Sequence, residues 1–505
     1  MTAIFSLPLI VILMGLGAFA MYLPAAHAAI LQDFATMRAF FQSANLFLIL
    51  TVMLGIATSN RVIRRRGRSY LLALMTAFIV LPLMLAVPFH FAVPDTTFLN
   101  SYVEMVSDLS TTGATLFDDP HRLPDSVHLW RAMVGWLGGL LMLVASVAIL
   151  APMNLGGYEV LATTTRGRGA SVQSQAAWEG DGSQRLLRYT AKIFPIYAGL
   201  TMALWIVLLI LGDPPLVAIS HAMSVLATSG ISPVGGLHHA PSGINGEYII
   251  FFVLIFAITR QAFGTEQTGF NLRNLRMDPE FRIGMFIVVV VTSLLVMRNW
   301  VGAIEVSNVS DMKTALRSLW GGAFTVMSFL TTTGFESTAW LDARDWTGLG
   351  TPGIVLMGLA LLGGGVATTA GGVKLLRVYA LYKHGTREMD RLVHPSSVGG
   401  AGNQARRLRR QGASAAWVFF MLFAISLALA VTLLGLAGLD FETALTLAVT
   451  ALSTTGPIIK VAAQTPISLG ELGDSIKLIF AGFMVLGRLE TLAIVALLNP
   501  EFWRR

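Results

Sequence analysis

The sequence predicts an all-α polytopic membrane protein built from four span–half-helix–loop–span units behind two extra helices. Three observations carry this reading. Of 505 residues, 54% are hydrophobic and only 12% charged, with a mean hydropathy of +0.68. Soluble domains carry about 25% charged residues, and one this apolar would aggregate through exposed patches. Long apolar segments alternate with basic loops, and one short Thr-Thr/Ser-Gly pattern recurs four times.

A spanning helix needs about 20 mostly apolar residues. Ten candidates lie near 3–23, 43–59, 71–92, 130–151, 190–211, 247–263, 283–302, 351–382, 415–437 and 476–499. Residues Met1 to Ile30 could be read as a leader, since Ala26-His27-Ala28 looks like a cleavage site. No Lys or Arg precedes its apolar run, however, and the run is long enough to span, so a retained helix is expected.

The loops sort by charge. Arg61, Arg64, Arg65, Arg66 and Arg68 precede the third span, and Arg166, Arg168, Arg185, Arg188 and Lys192 the fifth. Arg260, Arg273, Arg276 and Arg282 precede the seventh. Lys374, Arg377, Lys383, Arg387, Arg391, Arg406, Arg407, Arg409 and Arg410 precede the ninth, and Arg504 and Arg505 end the chain. These hold 25 of the 35 basic residues and fall in every second loop. Lys and Arg hold loops on the cytoplasmic side, so both termini are expected there, in a cytoplasmic membrane. The same rule explains the net charge of +7 and pI of about 9.8 without a nucleic-acid partner. The absence of cysteine excludes disulfides, thiolate metal sites and cysteine catalysis, and leaves the redox compartment open.

The opposite loops carry apolar segments too short to span, Phe98–Leu109, Leu216–Ala227, Thr314–Leu330 and Phe441–Leu452. They read as re-entrant helices. Each runs into the same pattern: Ser110-Thr111-Thr112-Gly113, Ala227-Thr228-Ser229-Gly230, Thr331-Thr332-Thr333-Gly334 and Ser453-Thr454-Thr455-Gly456. The glycines are 117, 104 and 122 residues apart, and each interval holds a span, a loop, a second span and a half-helix. An internal repeat of this kind fixes architecture. It divides the chain into two N-terminal helices (1–60) and repeats at 61–165, 166–275, 276–400 and 401–505.

One such tetrapeptide is most simply a helix end, since Gly is the usual residue just past one. Four copies, all on one side of the membrane, point instead to a cation filter. An ion in a narrow passage loses water, and rings of backbone carbonyls replace it. Glycine adopts the dihedrals that aim carbonyls inward. Thr and Ser hydroxyls add oxygens or brace the loop, and each half-helix directs its negative C-terminal end at the ion. Four units around one axis supply four carbonyls per layer. The hydroxyl in the first position is threefold only, at Ser110, Thr331 and Ser453, because repeat two has Ala227.

The span near 351–382 contains Gly363, Gly364, Gly365, Gly371 and Gly372. Each costs about 1 kcal/mol against Ala in a helix. A Gly-rich packing face is one reading; a broken helix is the other, with a loop that includes Thr368, Thr369 and Lys374. It is not a phosphate-binding Walker loop, because no Gly-Lys-Ser/Thr follows. Arg488 lies in the last span, where an intramembrane charge costs at least about 2.5–3.5 kcal/mol. It either snorkels, pairs with Glu490, or serves in a water-filled path; residues two apart on a helix do not face each other. Glu104, Asp108, Asp118, Asp119 and Glu336 flank the loops and either gather cations or merely cap turns. No histidine falls in a metal-ligand spacing.

These residues resemble the Trk/Ktr/HKT superfamily of potassium transporters, specifically the Trk-type membrane subunit of bacteria. Besides the four loops, the resemblance rests on Trp136-Leu137-Gly138-Gly139, Asp278-Pro279-Glu280-Phe281-Arg282, the run Gly363 to Lys374, Gly487-Arg488-Leu489-Glu490 and the terminal Pro500-Glu501-Phe502-Trp503-Arg504. The two leading helices resemble the Trk rather than the Ktr type. One stretch departs: Ala257-Ile258-Thr259-Arg260-Gln261-Ala262-Phe263 stands where relatives have Gly and Asn. The resemblance implies a homodimer with one pore per protomer and a cytoplasmic nucleotide-binding regulatory subunit. It implies a potassium filter at the four loops in pseudo-fourfold arrangement, potassium being preferred where all four carry glycine and sodium passing where serine replaces the first. It implies a gate at the broken helix and a barrier at Arg488 below the filter. Uptake through a gated channel-like pore is the first functional expectation, and symport with sodium or protons the second. A membrane-embedded enzyme would need acid, His or Ser groups clustered at one depth, and the sequence shows none.

Overall fold

The computed structural model describes residues 8–58, 66–151, 155, 157, 182–259, 272–303, 312–347, 353–394, 410–462 and 466–490. Arg260 to Phe263, the basic residues of 158–181 and 395–409, the end of the last expected span and the C-terminal Pro500–Arg504 lie outside the described residues.

The leading segment forms α1 (Leu9–Ala20) and α2 (Tyr22–Ile30), which together make one 22-residue apolar span, and then α3 (Phe34–Thr58). The expected spans at 3–23 and 43–59 are therefore displaced and lengthened. The second span begins at Phe34, before its expected start, and takes in Arg38 and Gln42. Arg38 donates to the Phe34 carbonyl at 3.2 Å, and Asn45, already inside the expected span, bonds the Phe41 carbonyl and Tyr22.

Repeat one is α4 (Arg66–Ala92), α5 (Phe98–Leu109) and α6 (Asp125–Ala145), the last extended by a π-turn at Ser146–Leu150. Repeat two is α7 (Gly182–Ile210), α8 (Pro215–Ala227) and α9 (Gly243–Ile258). Repeat three follows the short α10 (Leu272–Met277). It comprises α11 (Pro279–Ala303), α12 (Met312–Leu330), α13 (Trp340–Thr347), α14 (Gly353–Leu362) and α15 (Leu375–Val393). Repeat four is α16 (Arg410–Leu436), α17 (Phe441–Ser453), the short α18 (Ile458–Val461) and α19 (Asp474–Leu489).

Local chemistry sets where the half-helices begin. Thr97 caps α5 by accepting from the Asn100 amide at 3.2 Å, and Asp440 caps α17 by accepting from Thr443 at 3.1 Å. Pro215 takes the first turn of α8, where its missing N–H costs nothing.

Within every repeat the half-helix packs on both of its own spans. It also packs on the second span of the preceding repeat: α8 on α6, α12 on α9, and α17 on α14. The series closes, because α5 packs on α19. Four units in a closed cycle are a pseudo-fourfold ring, and α1 to α3 lie against repeat one beside it. Small residues allow the close contacts, as membrane helices require. A Cβ on Gly138 of α6 would fall 2.0 Å from the Leu109 carbonyl, and one on Gly487 of α19 would fall 2.5 Å from that of Ala451.

Among the described residues, seven stretches are long and apolar enough to cross a membrane, and the second spans of repeats two to four are helices of 10 to 16 residues. The backbone turns away from helix at Thr259, Gly363 and Glu490 respectively.

Candidate functional site

All four half-helices end in one geometry. The second residue of each loop, a threonine in all four, is left-handed, with φ of 55° at Thr111, 50° at Thr228, 57° at Thr332 and 53° at Thr454. Its amide donates three residues back, to Asp108, Val225, Phe329 and Ala451. The next amide donates five residues back, to Ser107, Ser224, Ser328 and Thr450. This is the Schellman cap, with a β-branched residue where glycine is usual. Left-handed backbone costs such a residue roughly 1–2 kcal/mol, offset by two hydrogen bonds of about 1 kcal/mol each. The glycine lies two positions later. A simple helix end would need it at the left-handed position, so the cap does not account for it.

Contact between loops accounts for it. A Cβ on Gly113 would fall 1.7 Å from the Ser229 carbonyl oxygen, and one on Gly230 would fall 2.3 Å from that of Thr333. The Gly456 amide donates to the Thr112 carbonyl at 2.6 Å. At three corners, then, a loop glycine meets the third-position carbonyl of the next loop. At the remaining corner Gly334 meets the ring of Pro457. Gly113, Gly230 and Gly334 have positive φ, whereas Gly456 does not. The expectation that all four glycines serve unusual dihedrals is thus corrected at Gly456, where close approach alone demands the missing side chain: its Cβ would lie 2.2 Å from the Ala114 nitrogen. The four glycines line one cavity of about 350 Å³.

The hydroxyls divide into two classes. The first-position hydroxyl bonds the third: Ser110 to Thr112 at 2.8 Å, Thr331 to Thr333 at 3.2 Å and Ser453 to Thr455 at 3.2 Å. Where repeat two has Ala227, Ser229 turns to Ser224 at 3.2 Å. The missing hydroxyl is replaced from within the half-helix, and these groups are braces. The second-position hydroxyls of Thr111 and Thr454 have no hydrogen-bond partner among the described residues. Thr228 bonds its own Ala227 carbonyl. Thr332 accepts from Gly371, in the segment joining α14 to α15.

That segment, 363–374, is not helical. Gly363 turns it at φ 72°, and Val373 and Lys374 return to bond the carbonyls of Leu361 and Leu362. It lies against three of the four loop units. Gly371 donates to Thr332 at 2.8 Å, and its Cβ would fall 2.2 Å from the Ser453 carbonyl. Thr369 donates to the Leu226 carbonyl at 3.1 Å. Thr368 closes an internal bond to Gly365 at 2.7 Å. Gly364 and Gly365 pack on the backbone of Ala257 and Ile258, and Gly372 on Ala360. Lys374 reaches back to the Ala370 carbonyl.

Arg488 is buried, 4% exposed, and donates to the Thr369 carbonyl at 2.6 Å. Its Nε and second terminal nitrogen have no hydrogen-bond partner among the described residues. Glu490, the alternative partner in the sequence, pairs instead with Arg377 at 2.6 Å. Arg377 stacks on Phe419, 3.5 Å from the ring centre. Two acidic residues to which the sequence alone assigns no role hold this layer together. Glu280 accepts from the Val366 amide at 2.9 Å, and Asp278 accepts from Thr259 at 2.5 Å. Their signal was acidity at a span entrance, where basic residues prevail.

The flanking acids separate. Glu104 and Asp108 are fully buried on α5 and face Arg131 of α6, at 2.5 and 3.7 Å, so the expectation that they gather cations is corrected for this pair. Asp119 caps the turn at His121. Asp118 and Glu336 line the cavity with His238, His239 and Lys460. Burial pushes the Glu336 carboxyl above its ordinary value, against the pull of Arg344 and Lys460. Among the described residues no group of three or more His, Asp or Glu could hold a metal ion.

The chain matches the TrkH family profile, described as cation transport protein, over residues 36–504. It is 30% identical over 489 residues to the Trk system potassium uptake protein TrkH of Salmonella typhimurium, with 96% of each chain covered. It is 28% identical over 442 residues to TrkI of Halomonas elongata, covering 85% of this chain and 82% of that one. The crystal structure of the potassium transporter TrkH from Vibrio parahaemolyticus shares the fold, with a TM-score of 0.79, 24% identity and 99% of both chains covered. The chain is a multi-pass membrane protein and belongs to the TrkH family of cation transport proteins.

Proposed function

We propose that this chain takes up potassium ions through the ring formed by residues 110–113, 227–230, 331–334 and 453–456. The observation that carries this reading is that four loop glycines line one cavity and at three corners meet the third-position carbonyl of the next loop. Such a ring offers a dehydrated monovalent cation one oxygen from each repeat at a common depth, while four half-helix C-termini add negative potential. Glycine in all four loops favours potassium, and the relatives are named potassium uptake proteins.

The segment 363–374 and Arg488 act below the ring. The segment obstructs the path, and the guanidinium raises the barrier to cations. The repeat boundaries at 61, 166, 276 and 401, the homodimer and the cytoplasmic nucleotide-binding regulatory subunit complete the proposal. So does a bacterial inner-membrane location with both termini cytoplasmic, which the basic loops favour.

Flux through purified protein in liposomes tests it, with potassium, rubidium and sodium, and with and without the nucleotide-binding partner. Potassium and rubidium pass and sodium lags by tenfold or more (about 1.4 kcal/mol). Equal passage of sodium defeats the proposed selectivity. A reversal potential that follows the potassium gradient alone supports a passive path, and one that shifts with sodium or protons supports symport.

A further inference from the structure

Nine residues before the loop glycine, the half-helices carry Glu104, His221, Thr325 and Leu447, all fully buried. The first three reach the chain just beyond their own glycine. Glu104 Oε2 accepts from the Leu116 amide at 2.9 Å, three residues past Gly113. His221 Nε2 meets Ser232 Oγ at 2.8 Å, two past Gly230. Thr325 Oγ1 accepts from the Ser337 amide at 3.3 Å, three past Gly334.

Glu104 and Thr325 hold a backbone amide, and His221 holds a side-chain hydroxyl. Ser232 Oγ also accepts from the amides of Val234 and Gly236, at 3.3 and 3.0 Å. Its lone pairs are engaged, so its hydrogen goes to the histidine, whose Nε2 is an acceptor. The His221 ring also lies edge-on to Phe335, the residue after Gly334, and so couples two loops. Glu104 is itself fixed by Arg131 at 2.5 Å. Loop three has a second tether, since Glu247 of α9 accepts from Ser337 Oγ at 2.6 Å and from the Thr338 amide at 2.5 Å. Repeat four lacks the bond: Leu447 and Ile459, its counterparts, belong to one apolar cluster. Its loop is held from outside, by Gly456 on the Thr112 carbonyl.

We propose that Glu104, His221 and Thr325 are positioning residues that hold the far ends of the first three loops, so that the ring keeps the size that favours potassium over sodium. The inference rests on the proposed potassium pathway. A buried polar brace fixes a carbonyl better than apolar contact does, because leaving its amide unpaired is costly. In repeat four the neighbouring loop supplies that restraint.

The test compares the potassium-to-sodium flux ratio in liposomes across variants. Thr325→Val removes one acceptor at constant volume and lowers the ratio roughly threefold, being buffered by Glu247. Glu104→Ala lowers it roughly tenfold or more, and Glu104→Gln, which keeps an acceptor for Leu116, restores most of it. Leu447→Ala weakens heat resistance and keeps the ratio. If Thr325→Val folds and retains the original ratio, or Leu447→Ala lowers it as far as Thr325→Val does, the braces do not set selectivity. If the unaltered protein shows no potassium preference, the pathway reading fails first, and the two failures are told apart.

Discussion

The four half-helix ends are alike and the four second spans are not. Every half-helix closes with the same left-handed threonine and the same pair of backward hydrogen bonds. Of the second spans, α6 runs on through a π-turn, α9 stops at Thr259, α14 breaks at Gly363 and α19 turns at Glu490. The difference teaches where symmetry is useful. A ring that surrounds an ion needs equivalent ligands from each repeat. On the proposed pathway a single obstructing segment has room once, and only repeat three carries a non-helical stretch, 363–374, against three of the loop units.

The strongest way to break this contrast is Gly113→Ser. The new side chain meets the Ser229 carbonyl at a backbone position of φ 69°. The expected result is a fall of about tenfold or more in potassium-to-sodium discrimination, read by competition flux or by growth at limiting potassium with excess sodium. Unchanged discrimination removes loop one from the filter.

Changes in the lower layer should alter total flux and spare the ratio. Arg488→Ala removes a buried charge from the Thr369 carbonyl and raises potassium flux roughly tenfold, given the cost of a charge at this depth. Unchanged or lower conductance sinks the barrier role. Thr369→Val deletes the single bond to Leu226. At about 1 kcal/mol it shifts the obstructed population about fivefold, visible as a smaller rise in flux. A changed ion ratio in either variant would mean that the two layers are not separate.

The smallest effect concerns the cavity. Burial, with His239 and Lys460 nearby, holds His238 below its ordinary value, so it is neutral at pH 7. Its neutral form favours the fold above the ordinary histidine value of about 6.5, and that contribution is lost as pH falls through the depressed value. Potassium flux should hold steady from pH 8 to 7 and fall by about half in acid as charge enters the cavity. His238→Gln should flatten the acid limb, and an unaltered limb assigns it elsewhere.

Much of the fold was legible because its signals are local. Apolar length marks spans, and four copies of one tetrapeptide mark the repeat. Boundaries were less legible at α2 and α3, where Arg38 and Gln42 stood outside the expected spans but lie within α3, Arg38 bonding the Phe34 carbonyl one turn back. The site was legible in its glycines and opaque in their purpose. The sequence offered dihedral freedom for all four, whereas at Gly456 close approach is the reason. Glu104 read as a surface acid because burial is not written in residue type; Arg131, which neutralises it, is 27 positions away.

By itself the sequence determined the solvent, the fourfold repeat and the positions where a side chain is forbidden, since hydropathy and backbone sterics act over a few residues. Only the tertiary structure decided which group of a neighbouring loop each glycine faces, that Arg488 bonds Thr369 while Glu490 takes Arg377, and that three unlike residues brace the loops beyond their glycines. Those choices depend on which buried polar groups come within hydrogen-bond reach, and that distance is set by helices packing around a ring.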